Sequence, residues 1–153
     1  MTAIVWERYL EVSPQAAEAD IVRVEQALGV RFPDDFRAAL RAHQGQVPAP
    51  NILHAPPVHD ATFGPLLHVA PDADGYEADY AIEAAAEIWR IYSPKLVPIA
   101  DSGGGNAFAY DYAADAAQPP IVFVNHEAEP GSAKALTRVA ATLDELLAKL
   151  GSD

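Results

Sequence analysis

The chain has 153 residues, half of them hydrophobic, and carries 22 acidic against 10 basic side chains with no cysteine. The absence of cysteine excludes disulfides, thiol catalysis and thiolate metal sites. The formal net charge of −12 disfavours binding to nucleic-acid phosphates. It either favours a basic partner or serves only to keep the protein in solution.

Neither a membrane segment nor a signal peptide is predicted. No apolar run approaches the roughly 18 residues that span a bilayer. Glu7 and Glu11 interrupt the N-terminal stretch where a signal peptide would carry an uncharged apolar block. We therefore expect an uncleaved cytoplasmic protein in which residues 1–153 form one domain.

The N-terminal third predicts an apolar arm followed by two helices. Residues 1–12 should pack as the arm. Ser13-Pro14 should begin the first helix, with serine as the N-cap and proline at the first helical position, and Gly29 should end it. The second helix should run from Pro33 to about Gln44 and stop at Gly45, with its apolar side chains four residues apart.

The middle of the chain predicts fewer regular elements. Residues 46–64 carry four of the 13 prolines and are expected to be loop, apart from a short strand at Ile52-Leu53. Leu66–Ala70 should be a strand that ends in a turn. Glu77–Tyr92 should be a third helix, which Ser93-Pro94 would end.

The last third is organised around a predicted β-hairpin. Leu96–Ala100 and Ala107–Tyr112 are joined by a turn of Asp, Ser, three glycines and Asn, residue types that tolerate a chain reversal. Ile121–Asn125 should pair next, and Thr142 with Glu145 forms a capping box before a closing helix that reaches Leu150. This order of elements predicts an α+β fold rather than alternating βαβ units.

Three blocks of sequence match a known family pattern in order and spacing. They are Val24–Gly29 with Phe32–Phe36, Leu40 and Gln44-Gly45; Pro98–Ala100 with Gly105-Asn106 and Asp111; and Ile121–Phe123 with Asn125–Glu127, followed by Leu143–Leu150. Together they resemble the SMI1/KNR4 family, also called the SUKH superfamily. Gln44 stands where the family often has Asn, and Leu143 where an aromatic residue is common.

The resemblance implies a fold and a class of function. The fold would be a single α+β domain with a mainly antiparallel sheet flanked by about four helices. Many bacterial members are immunity proteins that neutralise a cognate toxin, often a nuclease or deaminase, and others are intracellular protein-interaction modules. The resemblance supplies no catalytic residues, so we expect a non-enzymatic protein with no cofactor.

Catalytic alternatives find weak support in the residues. His54, His59, Asp60 and His68 could hold zinc in a small metal-dependent hydrolase, but their spacing fits no standard metal motif. His126 and Glu127 are adjacent in a chain expected to be extended, so they should point apart rather than act as an acid–base pair. The glycine run of residues 102–106 lacks the lysine of a phosphate-binding loop. We therefore predict no metal site and no catalytic site.

A protein-binding surface is predicted on the loops that flank the sheet. Its candidate residues are polar and close to the predicted strand ends: Asp101, Ser102, Asn106, Asp111, His126 and Glu127. The expected partner is a basic toxin domain. The alternative is that the protein is a housekeeping or regulatory intracellular protein-interaction domain of the same fold. The sequence does not determine the oligomeric state.

Overall fold

The computed structural model describes residues 3–152. Within them lie five helices, α1 (Glu18–Leu28), α2 (Asp34–His43), α3 (Gly75–Ala78), α4 (Ile82–Trp89) and α5 (Leu143–Ala148). The nine strands are β1 (Val5–Arg8), β2 (Gln46–Ala49), β3 (Ile52–Ala55), β4 (Val58–Thr62), β5 (Leu96–Ser102), β6 (Asn106–Asp111), β7 (Ile121–Val124), β8 (Leu136–Ala140) and β9 (Leu150–Gly151). They pair antiparallel in three sheets, ordered β1-β2, β4-β3-β9 and β5-β6-β7-β8. The predicted α+β class is confirmed.

The four-stranded sheet β5-β6-β7-β8 is a meander at the centre of the molecule. Its first two strands are the predicted hairpin, with Ser102 opposite Asn106 at the tip. Its third strand is the predicted Ile121–Asn125 segment, shortened by one residue. β8 follows a long polar turn and had no predicted counterpart.

The aromatic face of β6 is the core of the protein. The Tyr110 ring lies 5.6 Å from Phe36 of α2, and the Phe108 ring lies 5.1 Å from Phe63, measured between ring centroids. Alternate residues of β6 and β7 face the other side of the sheet, where Ala109 and Val122 pack with Trp89 at the end of α4. Because side chains alternate between the two faces of a strand, one face of the sheet carries the large aromatic core and the other carries a thinner apolar layer beneath α4.

The first helix begins later than predicted. α1 starts at Glu18 after Ala17, which gives no side-chain cap. The predicted start is wrong because residues 13–16 are bound to the end of α2 instead. The Gln44 side chain donates to the Ser13 carbonyl at 2.8 Å, and the Ala16 N–H donates to the Leu40 carbonyl at 3.0 Å. Gly29 ends α1 in the left-handed region, as predicted.

The predicted N-terminal arm is in part a strand. β1 pairs with β2, whereas Met1 and Thr2 lie outside the described residues. Residues 46–64 are also more regular than predicted, since they contain β2, β3 and β4. β2 is stabilised by pairing with β1, and β3 by pairing with β9. Both partners are distant in sequence, so the residues of β2 and β3 alone do not predict the full extent of these strands.

Two elements of the middle region were predicted wrongly for one shared reason. Leu66–Ala70 forms isolated bridges rather than a strand, and Glu77–Tyr92 is divided into α3 and α4. The His68 N–H donates to the Tyr80 carbonyl at 3.1 Å, and the Ile82 N–H donates to the His68 carbonyl at 2.9 Å. Because these two backbone groups bond to His68, the chain around Tyr80 does not continue the helix. Within the described residues, the structure therefore has one helix more than the four expected.

The closing helix follows its predicted cap. The Glu145 N–H donates to Thr142 Oγ1 at 3.1 Å, and the Glu145 carboxylate accepts from the Ala141 N–H at 2.9 Å, one residue before the usual position. α5 ends at Ala148, and Leu150 then enters β9 and pairs with β3. Between residues 3 and 152, no helix has the length and apolar character needed to cross a membrane.

Candidate functional site

The turn between β5 and β6 is shaped by its glycines. Gly104 and Gly105 have φ values of 81° and 92°, in the left-handed region that favours glycine. A Cβ atom on Gly105 would lie 3.1 Å from Cε1 of His126, closer than an ordinary contact. The missing side chain therefore lets the His126 ring rest against the hairpin tip.

His126 is held in place by the first residue of β6. The amide oxygen of Asn106 accepts a hydrogen bond from the His126 backbone N–H at 3.0 Å and lies 2.6 Å from His126 Nδ1. Because an amide oxygen only accepts, this contact assigns the proton to Nδ1. The Tyr92 hydroxyl adds a 3.2 Å bond to the His126 carbonyl. The predicted residues Asn106 and His126 are thus joined by hydrogen bonds from both the backbone and the side chain of His126.

A groove of about 580 Å³ lies between the hairpin tip and β4. Three predicted residues line it: Ser102, Asn106 and Glu127. Asp60 and Lys134 also line it, so both signs of charge face the space. We call this space the tip groove; the structure does bring half of the predicted set together there.

The other two carboxylates of the predicted set lie elsewhere. Asp101 precedes Ser102 in β5 and borders a second groove, on the α4 side of the sheet. Asp101 is half-buried, and this burial raises the pKa of its carboxyl group. Asp111 ends β6, five residues beyond Asn106 and therefore roughly 17 Å away. Its carboxylate accepts from the Ala113 N–H at 3.1 Å, as in a local turn.

The histidines do not assemble into the zinc site that was considered. His54 and His59 face each other across 3.4 Å between their Nδ1 atoms, and Asp60 lies 3.6 Å from His54. His68 is fully buried elsewhere, where its Nε2 lies 2.8 Å from the Glu77 carbonyl. In the part of the chain that the structure describes, no three ligating side chains are grouped to hold a metal ion.

The relationship to known proteins rests on a family comparison. The model of the SMI1 / KNR4 family (SUKH-1) matches residues 15–149. The chain belongs to this family. No curated protein matches the chain. Membership of the SMI1/KNR4 family supports an immunity-like, protein-interaction domain.

The SMI1/KNR4 residues near the N-terminus are structural. Glu25 is buried and accepts from the Phe32 N–H at 2.6 Å and from Arg37 at 3.2 Å, which fixes α1 against α2. Gln44 is also buried, and its side chain binds the backbone of Ser13 and of Val69. These N-terminal motif residues therefore specify the fold, whereas the later motifs also contain four residues of the predicted binding surface.

One prominent surface of this SMI1/KNR4 domain was missed by sequence reasoning. The hydroxyls of Tyr9, Tyr76 and Tyr80 form a chain, with oxygen separations of 3.2 Å and 3.0 Å. Tyr76 and Tyr80 line the groove that Asp101 borders. One signal could have drawn attention to this region, because no lysine or arginine occurs between Arg41 and Arg90.

Proposed function

We propose that this SMI1/KNR4 domain is a non-enzymatic cytoplasmic protein that binds and neutralises a basic toxin domain, such as a nuclease or deaminase. The observation that carries the proposal is the family match, which extends over residues 15–149. The formal charge of −12 supports a basic partner, because opposite charge accelerates encounter and selects against acidic competitors.

The proposed contact surface is the part of the predicted polar set that lies near the hairpin tip. Ser102, Asn106 and Glu127 line the tip groove, and His126 is fixed beside it. Asp101 borders the neighbouring groove, and Asp111 lies at the far end of the sheet. A partner centred on the hairpin tip would contact the first five residues and not Asp111.

The proposal is tested by co-purification with the product of the adjacent gene, expressed as an inactivated toxin. We expect a stable complex that loosens as salt is added, because screening weakens attraction between exposed charges. Absence of a complex would contradict the immunity function and favour the housekeeping alternative.

Two charge-reversed variants locate the contact surface in the same assay. Glu127→Lys should weaken the complex, whereas Asp111→Lys, with the same change in charge at the far end of β6, should leave it nearly intact. Equal binding by both variants would exclude the tip groove as the contact surface.

A further inference from the structure

Exposed apolar side chains are concentrated on the α4 side of the molecule. Among residues 3–152, six large hydrophobic side chains are exposed: Val5, Tyr9, Val22, Tyr76, Ile88 and Ile91. Ile88 and Tyr76 line the second groove, Tyr9 is hydrogen-bonded to Tyr76, and Ile91 lies three residues beyond Ile88. Exposed apolar side chains grouped around a groove are typical of interaction sites.

We call the second groove the helix-side groove, defined by Tyr76, Asp79, Tyr80, Ile88, Trp89 and Asp101. Its floor is made of small or apolar residues of the sheet and of α4, among them Ala85, Ala100 and Ala107. Its volume is about 300 Å³, at the lower end of the range of ligand pockets. The space therefore fits one or two inserted side chains rather than a large cofactor.

The charge of the helix-side groove is uncompensated. Asp79 and Asp101 stand at its edge, and no Lys, Arg or His is among the described residues that line it. Neither carboxylate forms an ion pair within residues 3–152. In contrast, Glu18 and Glu25 of α1 are both paired with Arg37. An acidic, apolar groove of this kind is complementary to a cation carried on an apolar segment.

The aromatic rings favour arginine over lysine as that cation. A guanidinium group can stack on tyrosine or tryptophan and can form two parallel hydrogen bonds with one carboxylate. Tyr76, Tyr80 and Trp89 supply the rings, with Asp101 in the same groove. Burial raises the pKa of Tyr80 further above its usual range, so the phenol is neutral and does not compete for the cation.

We propose that the helix-side groove binds an arginine side chain of the partner, presented between apolar residues. This inference deepens the proposed function, because it assigns the partner's chemistry to one named groove. Asp101 would form the ion pair, the tyrosines would stack on the guanidinium, and Ile88 would contact the apolar neighbours of the arginine.

The test uses a short capped peptide with one arginine between two leucines. Its matched control replaces arginine with citrulline, which has nearly the same shape and no charge. Binding is followed by amide chemical shifts of the full chain. We expect saturable shifts at Tyr76, Ile88 and Asp101 with the arginine peptide, and at least about tenfold weaker binding of the citrulline peptide.

Substitutions in the chain test the same contact. Asp101→Asn should weaken binding of the arginine peptide about tenfold, and Tyr76→Ala should also weaken it. Asp72→Asn is the matched control, because it removes an exposed carboxylate that lies outside the helix-side groove. Preserved shift dispersion will confirm that each variant is folded.

Several results would overturn the inference. These are no saturable shift at millimolar peptide, equal binding of the citrulline peptide, shifts confined to the tip groove, or equal losses in Asp101→Asn and Asp72→Asn.

The toxin assay separates the two proposals. If the toxin binds Asp101→Asn and Tyr76→Ala as well as it binds the unmodified chain, the groove assignment fails and the immunity function stands. If the toxin does not bind at all but the peptide does, the immunity function fails and the groove assignment stands.

Discussion

At the scale of single residues, the buried hydroxyl of Tyr110 destabilises the folded state. The Tyr110 ring packs between Phe36 and Tyr112, and its hydroxyl oxygen has no hydrogen-bond partner within the described residues. Burial raises the pKa of Tyr110, so its hydroxyl remains protonated. An unpaired buried hydroxyl costs about 1–3 kcal/mol in folding free energy.

Tyr110→Phe should therefore preserve or increase stability. The change keeps the ring and removes the unpaired hydroxyl, so we expect the free energy of unfolding to rise by about 1 kcal/mol. Tyr112→Phe is the control, because the Tyr112 hydroxyl donates to the Arg31 carbonyl at 2.7 Å. Urea denaturation should show a loss for that variant. A loss for Tyr110→Phe as well would mean that its hydroxyl has a partner.

Asp101 links stability to the proposed binding. Burial raises the pKa of its carboxyl group above the unfolded value of 3.8. The protonated form is thus favoured in the folded state, and stability falls as pH rises through the folded pKa. Asp101→Asn should melt at a higher temperature than the unmodified chain at neutral pH. The difference should vanish near about pH 3, where both side chains are neutral.

Replacing Asp101 distinguishes a binding role of its carboxylate from a structural role. A carboxylate retained for folding would destabilise the protein when replaced. A carboxylate retained for binding would stabilise the free chain when replaced and weaken the complex. Melting curves at the two pH values distinguish these cases without any knowledge of the partner.

At the scale of elements, the junction of α1 and α2 depends on one buried ion pair. Glu25 and Arg37 are almost completely buried, and Glu25 also accepts from the Phe32 N–H. Removing Glu25 would leave the buried Arg37 with only its exposed partner Glu18 and the Phe32 N–H without its acceptor. Breaking a buried pair in this way costs about 3–5 kcal/mol.

Glu25→Ala should therefore lower the free energy of unfolding by about 3–5 kcal/mol, measured in urea. The exposed partner of Arg37 supplies the control, since Glu18→Ala removes a salt bridge at the surface. We expect a much smaller loss there, because solvent screens exposed pairs. Similar losses for the two variants would show that the buried pair does not fix the junction.

The elements that could be predicted are those specified by residues close together in the sequence. β5 and β6 were found because a hairpin is specified by neighbouring residues, and the position of Gly29 fixed the end of α1. β2 was missed because its partner β1 lies far away in sequence. The split between α3 and α4 depends on His68, whose backbone bonds to Tyr80 and Ile82 have no local signal.

The candidate site was predictable to a similar extent. Ser102 and Asn106 were placed together because a tight turn brings its two ends together. Asp101 points to the other side of the sheet because side chains alternate along a strand. The contact between Tyr9 and Tyr76 joins residues that are 67 positions apart, so no local sequence pattern could predict it. The absence of lysine and arginine between Arg41 and Arg90 was the one sequence signal that marked this region.

At the scale of the whole molecule, the two signs of charge are unevenly distributed. Four of the basic residues, Arg23, Arg31, Arg37 and Arg41, belong to α1, α2 or the link between them, and each is paired with an acid. The segment between Arg41 and Arg90 has neither lysine nor arginine. It includes α3 and Asp79 of the helix-side groove. The negative potential should therefore be strongest where we place the partner's arginine.

This distribution predicts opposite effects of salt on the free chain and on the complex. A net charge of −12 makes the folded state repel itself, so added sodium chloride should raise the melting temperature of the free chain. The same screening should raise the dissociation constant of the toxin complex, mainly through slower association. Replacing Asp72 and Asp74 together with asparagine should reduce both effects. A complex that tightens with salt would instead indicate an apolar interface in which the acidic surface has no part.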